Sequence, residues 1–300
     1  MSRASYRKFS LHVCRRTALS PSFVRITLHD TSVAAMTTHA PDQRVKLFFP
    51  LQDGAMPALP DGDDWYARYR EMPAGTRPPM RTYTIRALRP AQCEVDVDFV
   101  LHGDGGPASA WATRANVGDP LLMLAPDAAF DGTPDGFEWR PSAGLRQVLL
   151  AGDKTALPAI AGILEALAAQ PDPPRVVALL EIPEDADRLE LRAPRDAALH
   201  WLPRATSGAA HGARLQSALR LLMPAAPSPD VHASDAHAEI DLDMEILGMR
   251  SAAGDHGFQA WIACESGAAM AMRRHLTTAL GIDKRAVACM GYWRLGRAQD

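Results

Sequence analysis

The sequence predicts an antiparallel six-stranded β-barrel followed by a Rossmann-like parallel α/β domain. Three observations carry this expectation. The chain has 300 residues, more than one hydrophobic core comfortably fills, which points to two domains. Its first half holds short β-prone segments separated by Pro, Gly and Asp clusters. In its second half strand-like and helix-like segments alternate, the pattern of a parallel sheet with right-handed crossovers.

The barrel strands are expected near residues 7–15, 22–29, 44–50, 82–89, 93–100 and 120–125. Cys93–Val100 (CEVDVDFV) alternates apolar and acidic residues, as a half-buried antiparallel strand does. Six such strands with turn signals between them fit a small barrel. The Gly/Pro-rich stretch Gly132–Gly144 reads as the hinge, so the expected domains are residues 1–143 and 144–300. Beyond the hinge, Gln147–Gly152 reads as a buried strand entering a helix from about Thr155 to Ala169. Val176–Glu181 and Leu199–Leu202 are further strands, and Arg214–Met223 is a helix. Strand Trp261–Cys264, helix Gly267–Leu280 and strand Ala286–Met290 close the pattern. Residues 224–257 read as a polar surface insertion, partly disordered. Its histidines, His232, His237 and His256, match no metal-ligand spacing and are expected to be solvated.

Composition narrows the function. At 47% apolar and 22% charged the chain is an ordinary globular protein. A net charge of −3 argues against a nucleic-acid binder, which needs a broad basic surface. The four cysteines, Cys14, Cys93, Cys264 and Cys289, form no CxxC pair. That spacing excludes a zinc ribbon or four-cysteine iron–sulfur site and suits a reducing compartment. With no apolar signal core and no apolar run near the ~20 residues of a membrane span, the protein is expected to be a cytoplasmic monomer without membrane insertion. Charge is uneven, however: Arg68, Arg70, Arg77, Arg81, Arg86 and Arg89 crowd between Trp65 and Arg89, with Glu71 the only acid. Such a patch focuses anionic ligands, although a charge run is also the ordinary face of a solvated loop.

Arg81-Thr-Tyr-Thr-Ile-Arg86 is the most informative segment. Alternation along a strand is read as projecting an Arg, an aromatic and a hydroxyl from one face. A flavin nucleotide calls for that set: a cation for its diphosphate, a flat surface for its ring and a partner for a ring nitrogen. The alternative is a half-buried strand beside a solvated Arg. His102-Gly-Asp-Gly-Gly-Pro-Ala-Ser-Ala-Trp111 has glycines ahead of a helix with Pro107 at its first position, a ready phosphate cradle. The N–H groups of Ala108 and Ser109, with the Ser109 hydroxyl, are expected to hold a diphosphate. In the second domain Ala151-Gly-Asp-Lys-Thr-Ala-Leu-Pro158 lacks GxGxxG. It nevertheless sets Gly152 and Thr155 between a strand end and a helix start, where a dinucleotide sits in doubly wound sheets.

These segments, in this order, resemble the siderophore-interacting protein family, flavin-dependent ferric-siderophore reductases of the ferredoxin-reductase superfamily. The likeness runs through Asp42-Gln-Arg-Val-Lys-Leu47, the Arg81–Arg86 strand, Asp98-Phe-Val-Leu-His-Gly103 and Gly106-Pro-Ala-Ser-Ala-Trp-Ala112. It continues through Gly152–Pro158, Trp261-Ile-Ala-Cys-Glu-Ser-Gly267 and Gly291-Tyr-Trp-Arg294. The resemblance implies an FAD-binding barrel and an NAD(P)H-binding α/β domain, with non-covalent FAD and NADPH or NADH as donor. Arg81 would bind flavin phosphate, Tyr83 would pack on the ring and Thr84 would bond near the reactive nitrogen. Thr82, Asp98, Val100, His102, Gly106, Ala108 and Ser109 would contact the rest of FAD. Thr155 and Glu265 would line the nicotinamide-nucleotide site, and Trp293 would influence access to it. Lys46, Arg68, Arg70 and Arg77 would recruit an anionic ferric siderophore, for instance a catecholate, and no protein-bound metal is needed. The chain departs from the family at Arg44, at Lys154, where an acidic or apolar residue is common, and at Ala125-Pro126-Asp127.

Three rival functions share some of these features. A general NAD(P)H–flavin oxidoreductase would keep both domains and change only the acceptor. A non-catalytic siderophore-binding protein would need neither flavin nor hydride donor. A hydrolase would use Ser266 in Cys-Glu-Ser-Gly, which lacks the first glycine of a nucleophile elbow. The donor is also open: Arg204 suits a 2′-phosphate, whereas Glu181 suits a ribose hydroxyl.

Overall fold

The computed structural model describes residues 4–51, 54–62, 64–103, 105–224, 247–249 and 257–296. These residues form two compact units. One comprises the chain through His39 together with Gln43–Phe137; the other comprises Ala40–Asp42 and the chain from Glu138 onward.

The first unit is built on strands β1 (Tyr6–Ser20), β2 (Phe23–His29), β3 (Arg44–Phe48), β4 (Met80–Thr84), β5 (Ala87–Arg89), β6 (Glu94–Val100) and β7 (Pro120–Pro126). Helix α1 (Trp65–Glu71) precedes β4, and α2 (Pro107–Arg114) precedes β7. All pairings are antiparallel, in the order β4-β3-β7-β1-β2-β6-β5. Strand β1 pairs with β7 along Tyr6–His12 and with β2 along His12–Ser20. Register shifts after Val13 and Ala18 add the twist that lets one strand serve both neighbours. The concave side of the curled sheet is filled by Phe9, Leu11, Ile26, Leu28, Leu47, Val97, Phe99, Leu121 and Met123, all buried.

Seven strands stand where six are expected. Residues 82–89 divide into β4 and β5, which lie at opposite edges of the sheet. Ile85 and Arg86 make the step: the Ile85 N–H bonds to the Gln43 carbonyl and the Arg86 N–H to the Asp96 carbonyl, both at 2.9 Å. A continuous β-prone run cannot reveal that its hydrogen-bond partners change halfway. Helix α1 is also not foreseen from the sequence, where that stretch reads as a basic loop. Trp65, Tyr66 and Tyr69 recur on one helical face, and Tyr69 is buried against Phe48, Met80 and Leu122.

The second unit contains β8 (Gln147–Asp153), α3 (Leu157–Ala168), β9 (Arg175–Ile182), β10 (Ala198–Pro203) and α4 (Ala213–Leu222). It continues with β11 (Leu247–Met249), β12 (Phe258–Glu265), α5 (Ser266–Arg274) and β13 (Val287–Trp293). The sheet order is β10-β9-β8-β12-β13-β11. All pairings are parallel except β11 with β13. Strand order therefore reverses between β8 and β12, the switch point at which such sheets bind ligands. Strand β11 falls inside the expected insertion 224–257, so three of its residues form an edge strand; His232, His237 and His256 lie outside the described residues.

Asp42 explains why Ala40–Asp42 joins this unit. Fully buried, its carboxylate accepts from the backbone N–H groups of Glu138 (2.8 Å) and Trp139 (3.0 Å) and from the Trp261 indole (3.1 Å). Gly162 in α3 lets Pro41 lie close, since a Cβ there would sit 3.0 Å from the Pro41 carbonyl oxygen. No described helix is long and apolar enough to cross a membrane.

Candidate functional site

In the first unit, β4 supplies the central residues. Its register against β3 pairs Leu47 with Arg81, Lys46 with Thr82, Val45 with Tyr83 and Arg44 with Thr84. Alternation puts Arg81 and Tyr83 on the concave face with Leu47 and Val45, and Thr82 and Thr84 on the other. The single face expected from the sequence is therefore two faces, because Thr84 is an odd step from Tyr83. Lys46 marks the second face by donating to the Thr82 hydroxyl at 2.8 Å. Thr84 is buried and is the last residue of the strand. Tyr83 stays half-buried with its ring centroid 4.5 Å from that of Phe99. Burial pushes its phenol above the usual range and keeps it protonated. The half-buried Arg81 donates to the Met80 carbonyl at 2.7 Å.

The glycine loop leads into α2 with Gly106 as its N-cap and Pro107 inside the first turn, and no side chain caps the helix. The Ser109 hydroxyl donates to the Gly103 carbonyl (2.8 Å) and accepts from the His102 N–H (2.9 Å). Its proton is thus spent on shaping the loop, and what the turn offers an anion is backbone N–H. Gly103 has φ +78°, and open space lies where a Cβ on Gly103 or Gly105 would stand. The exposed His102 ring lies beside Gly106. Val100 and Ala108 are buried, so they too offer backbone. Asp98 is engaged within the sheet, where Arg25 grips its buried carboxylate at 2.6 and 2.8 Å and Arg86 stands 3.8 Å away. Its side chain joins β2 to β6 and is not available to a ligand. A half-buried aromatic face, an arginine on that face and an uncapped helix start behind glycines fit FAD by the chemistry of the donor set.

The expected arginine patch divides. Arg89 binds Glu94 and Asp96, with contacts from 2.6 to 3.0 Å, and Arg86 faces Asp98, so β6 neutralises both. Arg68 and Arg70 project from α1, Arg68 pairing with Asp64 at 2.8 Å. The Arg77 guanidinium lies 5.9 Å from the Tyr69 ring centre and donates to the Arg70 carbonyl at 3.2 Å. Lys46 shares the face of β3 that α1 covers through Phe48.

In the second unit one residue not singled out from the sequence organises the switch point. Asp153, buried at the end of β8, accepts four hydrogen bonds. The Thr155 N–H (2.9 Å) and hydroxyl (2.6 Å) reach Oδ1; the Glu265 N–H (3.0 Å) and the Trp293 indole (2.7 Å) reach Oδ2. The ends of β8, β12 and β13 are tied to a single carboxylate. The available signal was Asp two residues before Thr at a strand end, an Asx-turn pattern. Glu265 caps α5 by accepting from the Ala268 N–H at 3.0 Å. Ser266 donates to the Trp293 carbonyl at 2.9 Å, and among the described residues no catalytic base of a hydrolase is bonded to it. Trp293 also meets the His211 ring edge-on at 4.7 Å. Gly152 admits no side chain, because a Cβ would lie 2.6 Å from the Ala156 Cβ and 2.8 Å from Ile160 Cδ1. Among the described residues no group of three His, Cys, Asp or Glu side chains is placed to hold a metal.

Comparison with known proteins follows this division. Residues 12–130 match the siderophore-interacting FAD-binding domain model, and residues 145–296 match the siderophore-interacting protein model. An uncharacterized protein of Mycobacterium tuberculosis is 32% identical over 94% of this chain and 88% of its own length. The ferric vibriobactin reductase ViuB of Vibrio cholerae is 25% identical over 97% of this chain and 90% of its own. The crystal structure of a siderophore utilization protein from T. fusca superposes with a TM-score of 0.71 at 28% identity, covering 99% of this chain and 96% of that one.

Proposed function

The chain belongs to the siderophore-interacting protein family, and on that premise we propose that it is a flavin-dependent reductase passing electrons from NAD(P)H to ferric siderophores. One observation carries the reading: the stretch that matches an FAD-binding domain holds the Arg81–Tyr83 face and the uncapped start of α2.

In this reading Tyr83 supplies the flat surface for the flavin ring and Phe99 backs it. Arg81 balances phosphate charge, and the first N–H groups of α2 share the diphosphate. Thr84 reaches the ring from the end of β4. Thr155 and Glu265 flank the nicotinamide-nucleotide site, with Asp153 fixing both and Trp293 shaping access. FAD held by Arg81, Tyr83 and the start of α2 would supply the redox chemistry, coupling a two-electron hydride donor to one-electron acceptors. One NAD(P)H therefore reduces two Fe(III) complexes to Fe(II). Hard oxygen ligands hold Fe(III) far more tightly than Fe(II), so reduction releases the iron and the protein needs no iron ligand. Lys46, Arg68, Arg70 and Arg77 attract an anionic complex.

The test is an anaerobic visible spectrum of the FAD-loaded protein, photoreduced and then mixed with a ferric siderophore. Return of the oxidised flavin band with chelatable Fe(II) supports the reading. A flavin that stays reduced moves the acceptor to a quinone, free flavin or protein. Failure to take up FAD removes the site built on Arg81 and Tyr83.

A further inference from the structure

We propose that Arg204, with Lys154, selects a nicotinamide nucleotide carrying a 2′-phosphate over one with a free 2′-hydroxyl. The inference rests on the nucleotide-binding reading of the second unit and adds the identity of the donor.

The geometry starts from register. Asp153 pairs with Glu181 across β8 and β9, and Pro203 pairs with Ile182 across β10 and β9. Lys154 and Arg204 each follow immediately, so they stand at the carboxyl ends of the two strands that flank β9. The Arg204 N–H bonds to the Ile182 carbonyl at 2.9 Å and fixes that end. In a doubly wound sheet the adenosine ribose lies near the end of the second strand. There an acid accepts from a free 2′-hydroxyl, while a cation accommodates a 2′-phosphate.

Glu181 occupies the acid's place but does not do its work. It is 1% exposed, and its Oε1 accepts from the Gly212 N–H at 2.8 Å and faces Arg204 Nε at 3.6 Å. Burial pushes its carboxyl above the usual range. The Gly212 turn it holds is close-packed, because a Cβ on Gly212 would collide with Ala268 Cβ. Glu181 therefore offers a ribose hydroxyl no accessible oxygen, the Asp153 carboxylate is already committed to four donors, and the exposed Asp185 past the end of β9 is paired with Arg188 at 2.6 Å.

Cations remain. The Lys154 ammonium makes no hydrogen bond or ion pair among the described residues, and the Arg204 side chain is 21% exposed. Burial, then repulsion from Arg204, holds Lys154 below the usual lysine range. His211 is likewise lowered by burial, then by Arg204 and Lys154. Like charges gathered at a strand end suit a phosphate, which carries about two negative charges at neutral pH. Arg204 offers planar donors and Lys154 a point charge.

The test uses 2′,5′-ADP and 5′-AMP, which report the adenosine end without turnover. Calorimetric titration of the full-length protein is expected to show at least about tenfold tighter binding of 2′,5′-ADP, the size of one charge-assisted hydrogen bond. In Arg204→Met and Lys154→Met the affinity for 2′,5′-ADP should fall toward that for 5′-AMP. Because Arg204→Met uncovers a buried carboxylate, Glu181→Gln/Arg204→Met is measured beside it, with thermal unfolding as the folding control. Equal wild-type affinities overturn the proposal, as does a loss that is the same for both ligands, which would assign the cations to the diphosphate. Binding of neither ligand overturns it together with the nucleotide site. Equal binding alongside ferric-siderophore reduction from NADH overturns the selectivity and leaves the reductase standing.

Discussion

Replacing Asp153 by Asn tests whether one carboxylate assembles the switch point. Two oxygens serve four donors: Thr155 N and Oγ1 at 2.9 and 2.6 Å, Glu265 N at 3.0 Å and the Trp293 indole at 2.7 Å. An amide keeps one oxygen, and its NH₂ can donate back only to the Thr155 hydroxyl, so in the better flip the Thr155 N–H loses its acceptor and the other three bonds lose their charge. At about 1.5 kcal/mol for the bond lost and about 0.5 kcal/mol for each of the three that become neutral, the loss is about 3 kcal/mol. For a unit of ~150–250 residues, 1 kcal/mol moves Tm by ~2–4 °C, so the expected fall is ~6–12 °C. Scanning calorimetry reads it in the transition that adenine nucleotides stabilise, which singles out the second unit. A shift of less than ~2 °C there would refute the claim that Asp153 ties the three strand ends.

Three further outcomes follow from particular contacts. Arg25→Ala strips the buried Asp98 of its bidentate partner and should cost about 3 kcal/mol in urea unfolding; the double variant with Asp98→Ala should recover most of it, and no recovery would contradict a structural role for the pair. Tyr83→Ala should weaken FAD binding by at least about tenfold in fluorescence titration, since a stacked aromatic is lost; an unchanged Kd would remove Tyr83 from the site. Burial pushes the Cys289 thiol from 9.0 up to about 12. The unfolded thiol ionises near pH 9, so the contribution to stability is complete below that pH and is lost as pH rises toward 12. Correspondingly, a thiol reagent at neutral pH should modify only the half-buried Cys14 and Cys93 in the native protein, and rapid labelling of all four cysteines would contradict it.

Residue pattern alone was enough for the two kinds of sheet. The alternation in Cys93–Val100 became β6, and the apolar run from Gln147 became β8 at the centre of the parallel sheet. Helix α3 was legible because its start signal, Pro158, and its apolar residues lie within a few positions of one another. The strand at Arg81 and the glycine turn before α2 were legible for the same reason, since residue type and spacing are local properties.

Other features depend on residues far apart in the chain. Whether Asp98 meets a cofactor or Arg25 turns on which strand lies beside β6. Asp42 stands two residues before β3, yet its partners are Glu138, Trp139 and Trp261. Asp153 is one acid among many until β12 and β13 bring it Glu265 and Trp293. Lys154 and Arg204, fifty positions apart, become neighbours of one strand end only because β8 and β10 flank β9. The amino-acid sequence by itself therefore determined the fold class and most element types, which arise from short-range periodicity and turn chemistry. Tertiary structure alone decided which charges are spent on one another and which remain for a ligand, because ion pairing depends on distance in space and strand order sets that distance.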